Sequence, residues 1–245
     1  VDFDKCMTIG NREIQEDNAS IIETSQGILA VLADGMGKQY GGKIAGRIAV
    51  ETFMDLFQSY NAFDNPQYFF KKAYNASNRK ILDVLDDQRG SACVASAIIK
   101  DNTLYYALVG NIKIAVYRDK DLIPISQGHT VDMLAMNKYK SGTLSKQSAV
   151  ALLEKHRLYN FVGQDGFRDV EIFDTPLKLL KNDIVVLMTD GVYECLTWRE
   201  IEDILSHGES CKQMSYNIIQ RINESMIDNK DNASVILMEI KKNID

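Results

Sequence analysis

The chain has 245 residues, a formal net charge of −6 and a hydrophobic content of 45%, which provides for a sizeable core and excludes a disordered or fibrous chain. Its acidic balance, with no run of Lys or Arg, excludes the basic face that a nucleic-acid partner requires. The longest purely apolar stretches, such as Ile28 to Ala33 and Ile184 to Met188, are far too short to cross a bilayer, and four cysteines without a Cys-x-x-Cys pair suit a reducing cytoplasm.

In chain order, alternation predicts strands from Asp4 to Thr8 and from Ala19 to Glu23, then an apolar strand from Ile28 that ends at Asp34. A glycine-rich turn, Gly35 to Gly42, leads into a helix ending near Phe57, with Ala45, Ile48, Ala49, Phe53 and Leu56 on one side. Asn65 as N-cap and Pro66 at the first helical position open a second helix to Leu85, stopped by Asp86, Asp87 and Gly90. Short strands follow at Cys93 to Ile99, Leu104 to Val109, Ile112 to Tyr117 and Leu122 to Ile125, and links this short predict an antiparallel meander. Residues 127–165 are polar and mixed, with a helix expected from Lys146 to Glu154. Strands at Asp169 to Phe173 and Asp183 to Met188, helices at Trp198 to Ser206 and Glu209 to Ile227, and a strand from Ala233 to Ile240 complete the expected order. Strands at both ends, a meander in the middle and paired helices predict an α+β fold with helices outside antiparallel sheets, in one domain over residues 1–245.

Aspartates recur where apolar strands meet turns: Asp34 and Asp190 after strands, Asp231 before one, while Glu16 and Asp17 lie near the start, four and five residues after Arg12. A single aspartate in such a place more often suits the turn than a ligand. Gathered at one rim, however, these carboxylates would repel unless a cation neutralised them, and oxygen donors without His or Cys favour Mg²⁺ or Mn²⁺.

The neighbours of these acids carry a resemblance. Arg12 to Asn18, Ala33 to Gly37, Val109 to Asn111, Thr189 to Gly191 and Asp231 to Ser234 resemble, in order and spacing, the motifs of the protein phosphatase 2C (PPM) family, bacterial type. The resemblance implies a central sandwich of two antiparallel β-sheets flanked by pairs of helices, and a phosphatase that hydrolyses phosphoserine and phosphothreonine with water activated between two divalent cations, Mn²⁺ or Mg²⁺. It implies Asp34 as bridging ligand, Glu16 and the carbonyl of Gly35 on one ion, and Asp190 and Asp231 on the other. Asp17 would orient the water from behind the ligands, and the planar fork of Arg12 would hold phosphate oxygens.

Departures from the family pattern matter as well. Asn111 and Lys113 stand where an Asp and an Arg are usual, so a third metal region at Asn111 and Glu194 is expected to hold an ion weakly. Met36 replaces the histidine proposed as general acid in eukaryotic members, leaving leaving-group protonation to water. Residues 127–165 correspond to the family's flap, with His129 expected to be structural and His156 and His207 without chemical partners. Alternatives remain: an inactive pseudophosphatase kept as a binding module, and a P-loop nucleotide hydrolase suggested by Gly37 to Lys43, where Ile44 cannot hold Mg²⁺. Phosphorylated Ser/Thr proteins, with a cognate Ser/Thr kinase, are the expected partners of a cytoplasmic monomer.

Overall fold

In a strand, successive side chains point to opposite faces, and the strands of this chain use that alternation to feed two cores at once. The computed structural model describes residues 1–86, 89–153, 157–167 and 169–242. One sheet is built from β1 (Asp2–Thr8), β6 (Lys113–Arg118), β7 (Asp121–Pro124), β10 (Ile184–Met188) and β11 (Ala233–Glu239), in the order β1-β11-β10-β6-β7. The other holds β2 (Asn18–Thr24), β3 (Gly27–Gly37), β4 (Gly90–Lys100), β5 (Thr103–Val109) and β8 (Glu171–Ile172) in sequence, with β9 (Leu177–Lys178) paired to β5.

Ile28, Ala30 and Leu32 of β3 meet Val185 and Leu187 of β10 and Ile236 and Met238 of β11 in a core between the sheets. The alternate residues Leu29, Val31 and Ala33 face α1 (Gly41–Ser59) and α2 (Pro66–Leu85). On the far side Val186, Met188, Val235 and Leu237 are covered by α6 (Trp198–Ser206) and α7 (Cys211–Glu224). The α-β-β-α sandwich expected from the sequence is therefore the observed architecture. All pairings within both sheets are antiparallel among the described residues, which removes the βαβ order that a P-loop nucleotide hydrolase needs.

Several elements differ from their sequence-based expectation. Strand β3 does not stop at Asp34; Asp34, Gly35, Met36 and Gly37 continue the ladder opposite Cys93, Ala92, Ser91 and Gly90. The glycines that read as a turn serve close approach instead, since a Cβ at Gly35 would lie 2.2 Å from the carbonyl oxygen of Gly42 at the start of α1. The meander also breaks: β4 and β5 form a hairpin, as do β6 and β7, but β5 and β6 lie in different sheets. Gly110 makes that crossing at φ +102°, where a Cβ would sit 2.2 Å from Cys93 Sγ.

Helix α2 runs as expected, with Asn65 Oδ1 accepting from the Tyr68 N–H, and α7 starts after its cap Ser210 and ends at Glu224, where Ser225 turns extended. Glu154, at the expected end of α4 (Lys146–Leu153), lies outside the described residues, as do Asp87 and His156. A helix without strong apolar periodicity, α3 (Val131–Lys140), and one turn, α5 (Asp190–Tyr193), escaped the sequence reading.

Gly110→Ala is expected to destabilise the protein by about 2 kcal/mol or more, because it combines a strained φ with overpacking against Cys93. Urea denaturation of the variant beside the parent measures it.

Candidate active site

The same alternation that builds the inner core places the chemistry. Continuing the inward-facing positions of β3, β10 and β11 by one step brings Asp34, Thr189 and Ser234 to one end of the sandwich. The loop joining β1 to β2 crosses that end and supplies Arg12, Glu16 and Asp17. Together, Arg12, Glu16, Asp34, Gly35, Met36, Asn111, Leu158, Asp190, Asp231 and Asn232 line a cavity of about 310 Å³.

Hydrogen bonds fix that loop. Asn232 Oδ1 accepts from the Glu16 N–H at 2.7 Å, and Asn232 Nδ2 donates to the Ile9 carbonyl at 2.9 Å, so one side chain holds both ends of the segment. The Asn11 N–H donates to the Lys230 carbonyl, and the Lys230 N–H returns to Asn11 Oδ1. Asp17 is buried, and its Oδ2 accepts from Ser234 Oγ at 2.6 Å and Thr189 Oγ1 at 3.1 Å. Glu16 lies against the start of α1, where Gly42 is required: a Cβ there would come within 2.3 Å of Glu16 Oε1.

Arg12 Nη2 donates to Asp231 Oδ2 at 2.7 Å, with side chains 57% and 44% exposed. An ion pair so exposed contributes no more than about 1 kcal/mol, so Arg12 can exchange this carboxylate for other anionic oxygens. Asn111 Nδ2 donates to Asp190 Oδ2 at 2.9 Å, the amide steadying the carboxylate without adding charge.

The electrostatics are those of an acid cluster in want of counter-charge. Burial pushes the Asp34 carboxyl well above the ordinary aspartate range, and the charges of Asp190, Asp17, Asp231 and Glu16 push it the same way. Asp17 is pushed up to about 7, by burial first, against the lowering effect of its bonds from Ser234 and Thr189. Asp190 is raised by burial and by Asp231, opposed by the Asn111 amide, and Glu16 is raised by burial and then by Asp231.

These features fit hard divalent cations. Every donor in the cavity wall is oxygen apart from the Arg12 guanidinium, the amides and the Met36 thioether. Glu16 Oε1 and Asn111 Oδ1 are buried without a hydrogen-bond partner, which is costly for a polar atom unless something else coordinates it. The carboxylates stand around the cavity and do not converge on one point. Among the described residues, the one set of three ligand atoms within 4.8 Å of one another is Asp2, Cys211 and Glu239 at the opposite end of the sandwich, where Lys241 Nζ already bonds Glu239.

The structure thus gathers Arg12, Glu16, Asp34, Gly35, Asp190 and Asp231 on one cavity, with Asp17 behind it. Glu194, expected near Asn111, is exposed at the C-terminal end of α5 and does not line the cavity. His129 is buried, its Nδ1 accepts from the Gly110 N–H at 3.2 Å, and its ring meets the edge of Tyr159, the structural place expected for it. Asn232, Thr189 and Ser234 lie inside motifs that the sequence singled out, but only the inward parity of Ser234 and the position of Thr189 before Asp190 hinted at their bonds to Asp17.

Comparison with known proteins gives the same direction. A family model described as protein phosphatase 2C matches residues 7–228. The serine/threonine phosphatase stp of Listeria welshimeri is 24% identical over 237 residues, covering 93% of this chain and 91% of that protein. The serine/threonine phosphatase of S. agalactiae superposes with a TM-score of 0.84 at 21% identity, over 98% of this chain and 99% of that one. The catalytic domain of the serine/threonine protein phosphatase PstP, solved with two manganese ions, superposes at 0.76 with 17% identity, over 98% of each chain.

Carboxyls raised in the folded state hold protons that the unfolded chain releases, so the folded form is favoured at low pH and loses that advantage as pH climbs towards about 7, where Asp17 titrates. The melting temperature in EDTA should therefore fall between about pH 5 and about pH 8, and Mn²⁺ should raise it by about 3 °C more at the higher pH, the shift that ~1 kcal/mol gives in a chain of this size. An Mn²⁺ effect independent of pH, followed by calorimetry, would contradict it.

Proposed function

The chain belongs to the protein phosphatase 2C family, and from that premise we propose that this cavity carries the reaction of a metal-dependent protein serine/threonine phosphatase acting on phosphoserine and phosphothreonine. The observation that carries the reading is that Arg12, Glu16, Asp34, Asp190 and Asp231 line one cavity. Asp34 would bridge two Mn²⁺ or Mg²⁺ ions, with Glu16 and the Gly35 carbonyl on one and Asp190 and Asp231 on the other. When bound, the ions supply an activated water near neutral pH and offset the charge of the phosphoryl group.

The chain's own residues do the rest. Arg12, at the mouth, grips phosphate oxygens with two parallel donors, a geometry that a lysine would lack. Asp17, buried behind the cavity and held by the hydroxyls of Ser234 and Thr189, would orient the water, with those bonds fixing its carboxylate. Asn232 keeps Glu16 in place through the backbone. Met36 has no proton to give, so the leaving serine or threonine oxygen takes its proton from solvent.

The residues of the inactive-module alternative, Asn111 and Lys113, leave all of these carboxylates in position, which favours turnover. We read residues 1–245 as one phosphatase domain, with 127–165 as the flap at the mouth through Leu158. Four free thiols are at home in a reducing cytoplasm, where a Ser/Thr kinase sharing its substrates is the partner we assign.

Asp34→Asn and Asp190→Asn should each lower Mn²⁺-dependent phosphate release from a phosphothreonine peptide by far more than the roughly 100-fold typical of losing an outer partner of a metal ligand, with the far-UV spectrum unchanged. Near-parental rates in either variant would remove the assignment. Arg12→Ala should chiefly raise KM, by about tenfold for one charge-assisted contact; a saturation curve identical to the parent's would take the phosphate from Arg12.

A further inference from the structure

Resting on the phosphatase reading, we propose that a groove adjoining the metal cavity at Met36 is a substrate subsite that takes an aliphatic or aromatic side chain flanking the phosphorylated residue. The groove has a volume of about 410 Å³ and is lined chiefly by Met36, Ile81, Leu82, Leu85 and Phe161. Met36 belongs to the walls of both cavities, so the two are neighbours that meet at this residue.

The groove is built and rigid. Ile81 and Leu85 form its buried floor, while Met36, Leu82 and Phe161 are half-buried and present apolar surface to an occupant. Phe161 is positioned by bonds on both sides. Val162 exchanges two backbone hydrogen bonds with Ala92, at 2.9 and 3.0 Å, and is itself fully buried, which by alternation turns Phe161 towards the groove. Asn78 Oδ1, from α2, accepts from the Gly163 and Gln164 N–H groups at 2.7 and 3.0 Å. Asn160 Nδ2 donates to the Asp169 carbonyl, and Gln164 Nε2 returns to Asn160 Oδ1. Gly163, at φ +89°, lets this segment lie on Ile81, whose Cγ2 would be 2.8 Å from a Cβ there.

Three residues before Phe161, Leu158 reaches into the metal cavity, so a single segment of chain furnishes an apolar wall to both compartments. A peptide whose phosphoryl group enters the metal cavity and whose backbone is extended advances about 3.3 Å per residue. The positions nearest the phosphorylated residue are then the ones whose side chains can pass over Met36 into the groove. Asp86 and Arg89, both exposed, line the groove with opposite charges, so selection there depends on shape and apolar surface more than on charge.

The test uses the whole chain with Mn²⁺ and two kinds of substrate: p-nitrophenyl phosphate, which has no flanking residues, and a set of phosphothreonine peptides carrying Leu, Phe, Gly or Asp at each of the three positions on either side. The parent should favour Leu or Phe at one of these positions by about tenfold or more in kcat/KM over Gly and Asp, the discrimination an apolar pocket of this kind gives. Phe161→Ala and, from the opposite wall, Leu82→Gln should each erase that preference while leaving p-nitrophenyl phosphate turnover within about twofold of the parent. Hydrolysis of p-nitrophenyl phosphate with equal kcat/KM across the peptides would overturn the subsite and leave the phosphatase reading standing. Equal loss on p-nitrophenyl phosphate and on every peptide in both variants would also overturn it, giving those residues to the fold. Absence of Mn²⁺-dependent turnover on any substrate would instead remove the phosphatase reading and the subsite with it.

Discussion

The constraint on which the structure turns is the repulsion among carboxylates brought to one end of a β-sandwich. Glu16, Asp17, Asp34, Asp190 and Asp231 reach that end from four separate parts of the chain, and four of the five are raised above their ordinary range, with burial as the leading cause. Like charges in a partly dry site oppose one another far more than in water. An arrangement so unfavourable by itself persists only where the surrounding structure determines it, and where something of opposite charge rewards it.

That determination comes from the two sheets. Asp34 follows the inward positions of β3, while Thr189 and Ser234 follow those of β10 and β11, so residues far apart in sequence meet without any loop having to be long. The ladder supplies further precision: the Ser234 N–H donates to Thr189 Oγ1, and both hydroxyls then donate to the same oxygen of Asp17. Glycines at 35, 42 and 191 let backbone and carboxylate come closer than any side chain would permit, Gly191 lying where a Cβ would be 2.1 Å from the Asn232 carbonyl oxygen. The site is therefore rigid in its frame, and its exposed component is the Arg12–Asp231 pair at the mouth.

Much of this was legible in the sequence, for identifiable reasons. Helix α2 declared both its ends through Asn65, Pro66 and the break at Asp86, and α6 ran as predicted because its apolar face repeats cleanly and Thr197 with Glu200 closes its first turn. Asp34, Asp190 and Asp231 could be found because each sits beside an apolar strand, and Glu16 with Asp17 because the pair closely follows Arg12 in the motif from Arg12 to Asn18. What could not be read was which sheet a strand joins. The link from β5 to β6 is as short as a hairpin, and only the packing of Gly110 over Cys93 sends the chain across the sandwich. Gly35 and Gly37 were misread as a turn because glycine marks turns and close contacts alike, and the sequence does not say which. Helix α3 escaped because its face is weakly apolar and it buries only Ala135.

Charge also bears on how many ions the cavity suits. Five carboxylates less the single positive charge of Arg12 leave four formal negative charges, which two divalent cations cancel. A third ion would need a further acid close to the first two. The position that could supply one holds Asn111, whose Nδ2 is already committed to Asp190 and whose Oδ1 offers a neutral lone pair, and Glu194 stands outside the cavity wall. Nearby, Lys113 lies over the Tyr193 ring, half-buried, its ammonium pKa lowered by burial against the pull of Asp132 and Glu171. An amide at 111 and an ammonium at 113 thus supply no further carboxylate beside Asp190, and the formal charge of the cavity acids is matched by two divalent cations.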